Sequence, residues 1–132
     1  MTTRRIALLL LATTLAACAG VPRAPGLDLV RSELYFGRAR ADGTMVSEGE
    51  WQAFLAGHIT PRFPYGLTVL DGVGQYRDRA GHVRREDTKV VLIIHAPSAD
   101  RWVAIEEIRA SYRRLFEQDS VLLVTVPARA SF

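Results

Sequence analysis

Five consecutive apolar residues, Val90-Val91-Leu92-Ile93-Ile94, constrain this chain more than any other feature. They lie in an expected strand over residues 83–96, where side chains point alternately to opposite faces, so both faces of its inner half are apolar. A strand of that kind belongs in the middle of a sheet. Ahead of it, residues 66–76 read as a second strand and Asp78-Arg79-Ala80-Gly81 as a turn, which makes the pair a hairpin. Centring the turn near residue 80 sets Asp71 opposite Lys89 and Val69 opposite Val91. Such an opposite-charge pair across strands contributes about 0.2 to 1 kcal/mol, which explains the lysine as a pairing residue rather than a catalytic one.

The remaining elements frame this hairpin. Leu34-Tyr35-Phe36 supplies strand formers ahead of Gly37, and Ala41-Asp42-Gly43 marks a turn. Ser47 and Glu50 have capping-box spacing, and Trp51, Phe54, Leu55, His58 and Ile59 then fall on one helical face until Pro61 and Pro64 stop the helix. After Pro97, with Ser98 or Asp100 as cap, Trp102, Ile105, Ile108, Tyr112, Leu115 and Phe116 mark the buried face of a second helix. A last strand runs over residues 120–126, stopped by Pro127. The order β-α-β-β-α-β predicts an α+β fold of the ferredoxin-like kind, an antiparallel sheet with both helices on one face. Phe36, Phe54, Leu92, Ile108 and Val124 are expected to share its core.

The amino terminus carries an address. Arg4 and Arg5 precede an apolar stretch that closes on Leu15-Ala16-Ala17-Cys18. This arrangement resembles the bacterial lipobox, in which residues 1–17 are removed as a signal peptide and Cys18 takes a thioether-linked diacylglycerol and further fatty acid, palmitate among the candidates. A membrane-spanning helix fits worse, because a span needs about 20 apolar residues and Thr13-Thr14, Gly20, Pro22 and Arg23 interrupt this one. Ala19 and Gly20 after the cysteine, without an aspartate, resemble the sorting pattern for the outer membrane facing the periplasm. Residues 18–29 then form the lipidated cysteine and a Pro/Gly/Ala-rich linker, and residues 30–132 a single domain.

Composition narrows the partners. Cys18 is the only cysteine, so a lipidated chain keeps no thiol for catalysis and no disulfide. Without the signal the 17 basic side chains lose Arg4 and Arg5, leaving a near balance with the 14 acidic ones, which is no footprint for nucleic acid. The expected partners are the membrane through the lipid, an envelope protein or a small ligand, with a homodimer as an open option.

Several blocks carry a resemblance: Thr60-Pro61-Arg62-Phe63-Pro64 with Gly66-Leu67-Thr68, then Gly74-Gln75-Tyr76, Arg85-Glu86, and Phe116-Glu117-Gln118-Asp119-Ser120-Val121-Leu122. From about Leu34 to Phe132 the chain resembles the bacterial domain-of-unknown-function family 3574. The resemblance implies an exported or lipid-anchored protein and brings no assigned activity, cofactor or catalytic residue. It departs at Tyr76, where the pattern has tryptophan.

No P-loop, dinucleotide-binding glycine motif, zinc-protease motif, nucleophile elbow or EF-hand loop is present, no cofactor is expected, and His58, His82 and His95 lack metal-ligand spacing. The richest side-chain set is Arg62, Tyr65, Tyr76, Arg85 and Glu86, read as a ligand site or as a structural ion pair in which Glu86 meets Arg62. Two function classes follow. The residues favour a non-catalytic envelope lipoprotein that binds another component. The alternative is a cofactor-free enzyme resembling dimeric ferredoxin-like barrels, with a small organic substrate in a pocket between sheets.

The anchor is directly testable. Cys18→Ala abolishes fatty-acid labelling and releases the domain from membrane fractions; unchanged labelling and sedimentation would refute the lipobox reading.

Overall fold

In the computed structural model, which describes residues 25–132, four antiparallel strands form one sheet and two helices pack on one of its faces. The signal segment and Cys18 lie outside the described residues. The elements are β1 (Leu27–Gly37), α1 (Glu48–Phe54), β2 (Thr68–Arg77), β3 (Val83–His95), α2 (Ala99–Phe116) and β4 (Leu122–Ala130). Their order across the sheet is β2-β3-β1-β4, so β3 is interior, as its two apolar faces require.

Strand register follows the hairpin expectation. Asp71 stands opposite Lys89 and Val69 opposite Val91. Lys89 Nζ lies 2.6 Å from Asp71 Oδ1 and 2.9 Å from Glu48 Oε2 at the start of α1, so the buried ammonium ties the hairpin to the first helix. The Asp71 carboxylate, followed by that of Glu48, holds its pKa above the ordinary lysine value.

The first helix starts where the capping box places it. Ser47 Oγ accepts the Glu50 backbone N–H and Glu50 Oε2 accepts the Ser47 N–H, satisfying two donors that a helix start leaves open. With the Ser47 amide, the Ser47 hydroxyl and Arg40 all bonding to it, Glu50 has its pKa pushed down to about 2. Past Phe54 the helix widens by one residue per turn over Leu55–Ile59, where the Thr60 N–H reaches the Leu55 carbonyl at 2.9 Å.

An aromatic cluster joins the layers. The Phe36 ring on β1 lies 4.8 Å from Tyr112, 5.3 Å from Trp51 and 5.9 Å from Phe54. Each such contact adds about 0.5 to 1.5 kcal/mol beyond area burial. Leu34, Val91, Ile93, Ile105 and Ile108 complete the same buried group.

Several expectations are corrected. Leu92 and Val124 are not core partners of Phe36: Val91 and Ile93 face the helices, while Leu92 and Val124 alternate to the far face and are only partly buried. A strand apolar on both faces hides which set faces in. Leu115 is exposed on α2. β1 begins at Leu27, inside the stretch expected as linker, because residues 27–29 pair with 128–130 of β4. β4 runs through Pro127, which an edge strand tolerates.

The parity is measurable by urea unfolding. In the isolated protomer Ile93→Ala costs about 2 to 5 kcal/mol, whereas Leu92→Ala costs clearly less because its site there is partly open to water. Equal losses at the two positions would contradict the assignment of faces.

Candidate functional site

The far face of the sheet carries a hollow of about 690 Å³, within the ordinary range for small-molecule sites. Its cause is a row of missing side chains. Thr88 of β3 pairs with Gly37 of β1 on one side and with Gly72 of β2 on the other, and Gly74 pairs with Glu86. Glycines in neighbouring strands leave the sheet surface low, so Tyr35, Tyr76, Glu86 and Thr88 stand around the depression. The turn between α2 and β4, residues 117–120, closes one end.

Glu86 is held without a cation. Its Oε1 accepts the Ala39 backbone N–H at 3.0 Å, and among the described residues it forms no ion pair. The carboxylate lies over Gly37, where a methyl group would run into it. Gln118 secures the same backbone unit from the other side, donating from Nε2 to the Ala39 carbonyl at 2.7 Å. Beneath the glycine, the Tyr112 hydroxyl donates to the Gly37 carbonyl at 2.9 Å, and burial pushes the phenol pKa up, so the donor keeps its proton.

The structure therefore brings Tyr76 and Glu86 together and leaves the other candidates elsewhere. Arg62 is not the partner of Glu86. Its Nε lies 3.1 Å from Glu107 Oε2 on α2 and its Nη1 donates to the His58 carbonyl at 2.9 Å. Arg101 in turn donates to the Arg62 carbonyl at 2.9 Å. The reason is geometric: the loop that carries Arg62 belongs to the helix layer, whereas Glu86 sits on the opposite face. Arg62 is thus a lock for the loop, with Glu107 as its anion. Tyr65 is 95% exposed, and Arg85, opposite Gln75, alternates away from the hollow.

The histidines have structural settings. His58 stacks on Phe54 with ring centres 4.8 Å apart, and His82 sits at the hairpin tip near Asp78. His95 is buried on the helix side, where Nδ1 bonds to the Ala96 carbonyl at 2.7 Å and Nε2 to Ser32 Oγ at 2.8 Å. A carbonyl only accepts, so the proton is on Nδ1 and the serine hydroxyl donates to Nε2. Among the described residues no three His, Cys, Asp or Glu side chains are grouped to hold a metal ion.

Sequence reasoning missed Gly37, Gly72, Thr88 and Gln118 as site residues. A usable signal was present in Gly72 and Gly74, two glycines at alternate positions of one strand, which remove adjacent side chains from the same face. The GQY, RE and FEQDSVL blocks all converge on this hollow, whereas the TPRFP block does not.

Gly37 offers a direct check. Gly37→Ala costs little in urea unfolding, because the added methyl displaces only the carboxylate end of the flexible Glu86 side chain. A loss of about 2 to 5 kcal/mol, the size of a core truncation, would show that the methyl meets something less yielding than the carboxylate.

Comparison with known proteins adds the following. A family model described as protein of unknown function (DUF3574) matches residues 31–132. A search of curated proteins finds no match. Among solved structures the chain resembles a phage SAM lyase in complex with S-methyl-5'-thioadenosine, with 17% identity, a TM-score of 0.59, and coverage of 83% of this chain and 96% of that one. The same lyase in its apo state matches with 14% identity, a TM-score of 0.57, and coverage of 85% and 98%. CutA from Synechococcus elongatus matches with 11% identity, a TM-score of 0.53, and coverage of 81% and 83%. At these identities the likeness is one of fold. The expectation of a non-catalytic binding module is corrected here, because structures that share this fold include an enzyme.

Proposed function

We propose, for a chain that belongs to the DUF3574 family of proteins of unknown function, that it is a cofactor-free enzyme acting on a small organic cation in the hollow of its sheet. The observation that carries this reading is the Glu86 carboxylate, which has a backbone amide but no cation as partner and stands at a hollow that Tyr35 and Tyr76 also line. A carboxylate and aromatic faces are the groups that attract a cation away from water. The same carboxylate is placed to accept a proton from the carbon next to the bond that breaks, so that the carbon fragment leaves as an alkene, which is general-base work.

The lyase structures favour one substrate chemistry. A sulfonium carries its positive charge on sulfur; when one carbon–sulfur bond breaks the electron pair stays on sulfur to leave a neutral thioether, while the carbon fragment gives up a neighbouring C–H proton to the base and leaves as an alkene. Such a cleavage needs a base and a site for charge, with no redox group. Support for a ferredoxin-like β-α-β-β-α-β assignment comes from the order of elements, the sheet order β2-β3-β1-β4 and the likeness to CutA. The lipid anchor at Cys18 remains part of the proposal and rests on the Leu15-Ala16-Ala17-Cys18 sequence. No helix among the described residues is long and apolar enough to cross a membrane, so the described domain itself supplies no helical span.

The test uses SAM as probe. The full chain converts SAM to S-methyl-5'-thioadenosine, followed by chromatography, and Glu86→Gln lowers the rate by about 100-fold or more while circular dichroism stays unchanged. Neither binding nor turnover of SAM by the folded chain, or full activity in Glu86→Gln, would overturn the assignment.

A further inference from the structure

We infer that a second copy of this chain covers the sheet face left open by the helices and roofs the hollow that the proposed function uses. An antiparallel sheet with one face in water carries polar residues on that face. This one does not. The outward positions of β3 are Val90, Leu92 and Ile94, those of β4 are Leu122, Val124 and Val126, and β2 adds Leu70. Leu122 is 57% exposed, Leu70 48% and Ile94 40%. The apolar run that places β3 inside the sheet thus supplies one buried face within the protomer and one face that the protomer leaves uncovered.

Area and charge favour a copy of the same surface as the cover. Four strands about 4.8 Å apart span about 14 Å, and β1 runs about 34 Å between its ends, so the face encloses about 500 Å² per copy. Two such faces bury about 1,000 Å² together, the size at which a specific interface begins. Within the apolar field, β1 carries Arg31 and Glu33, paired at 3.0 Å, and the outward positions of β3 towards the hairpin tip add Glu86 and Arg84, so the face holds both signs. A two-fold axis sets a surface against itself, and a surface with both signs side by side meets its own copy without net repulsion. The hollow opens onto this same face at Tyr35, Thr88, Val90 and Leu122, so the second sheet completes its wall.

The experiment uses the full chain with Cys18→Ser, which leaves an engineered cysteine as the sole thiol. Thr68→Cys, Leu92→Cys and Val124→Cys sample the outward face on three strands, and Glu106→Cys on the exposed side of α2 is the control. With a flexible bis-maleimide, at least one outward position gives a product of twice the chain mass in at least tenfold higher yield than Glu106→Cys. Adding Ile94→Arg removes that product while circular dichroism remains native. A folded chain that yields no doubled product from any outward position, or the same yield from Glu106→Cys, overturns the inference. SAM turnover on the same preparations keeps the two readings apart. An active chain that never crosslinks loses the second copy alone, and a crosslinked chain inert towards SAM retains it while the enzyme reading fails.

Discussion

The contact on which core and site both depend is the hydrogen bond from the Tyr112 hydroxyl to the Gly37 carbonyl. On one side of the sheet, Tyr112 belongs to the aromatic cluster with Phe36, Trp51 and Phe54 that holds the helices down. On the other, Gly37 leaves room for the Glu86 carboxylate. A side chain at residue 37 would separate these two functions, since it would move Glu86 without touching the aromatic cluster. The glycine is therefore a requirement of the site, while the tyrosine below it fixes the height of the strand on which the site is built.

The second constraint is the two-faced β3. A protomer of this size has two helices, enough to cover one face of a four-stranded sheet, and the helix face takes Val91 and Ile93. Val90, Leu92 and Ile94 are left over by the same alternation. Chain economy alone would put polar residues there. Their apolar character instead makes the far face the place where a ligand or another chain gains most from contact, and the hollow lies on that face.

Local signals were legible in the sequence because their partners are close along the chain. The Ser47–Glu50 box spans three residues, and the Asp71–Lys89 register follows from counting back from a turn. Signals that depend on the third dimension were not. Arg62 sits among hydrophobic and aromatic neighbours that suit either sheet face, and only the packing of α2 reveals Glu107 as its anion. Leu92 and Val91 are interchangeable by hydropathy, so parity had to come from the helices. Gln118 reached the site because α2 ends at a left-handed Glu117, which turns the chain back to the Ala39 carbonyl, a geometry that the FEQDSVL block alone does not spell out.

Glu86 differs from the carboxylates that the fold pairs with cations, and it shares the hollow with Glu117 and Asp119. Glu48 and Asp71 share Lys89, Glu50 is fixed by Arg40 and its own capping box, and Glu107 answers Arg62. Each of those anions is already compensated by a cation of the fold, so a ligand cation would have to compete with it. Among the described residues Glu86 meets a backbone amide and no cation, which orients the carboxylate and leaves its charge to be met from outside. Water meets it in an open hollow. Under a second sheet water is displaced, the effective dielectric falls, and the same carboxylate attracts a cation more strongly. The uncovered apolar face and the unpaired carboxylate are thus two parts of one arrangement, in which covering the face strengthens the site's attraction for its ligand.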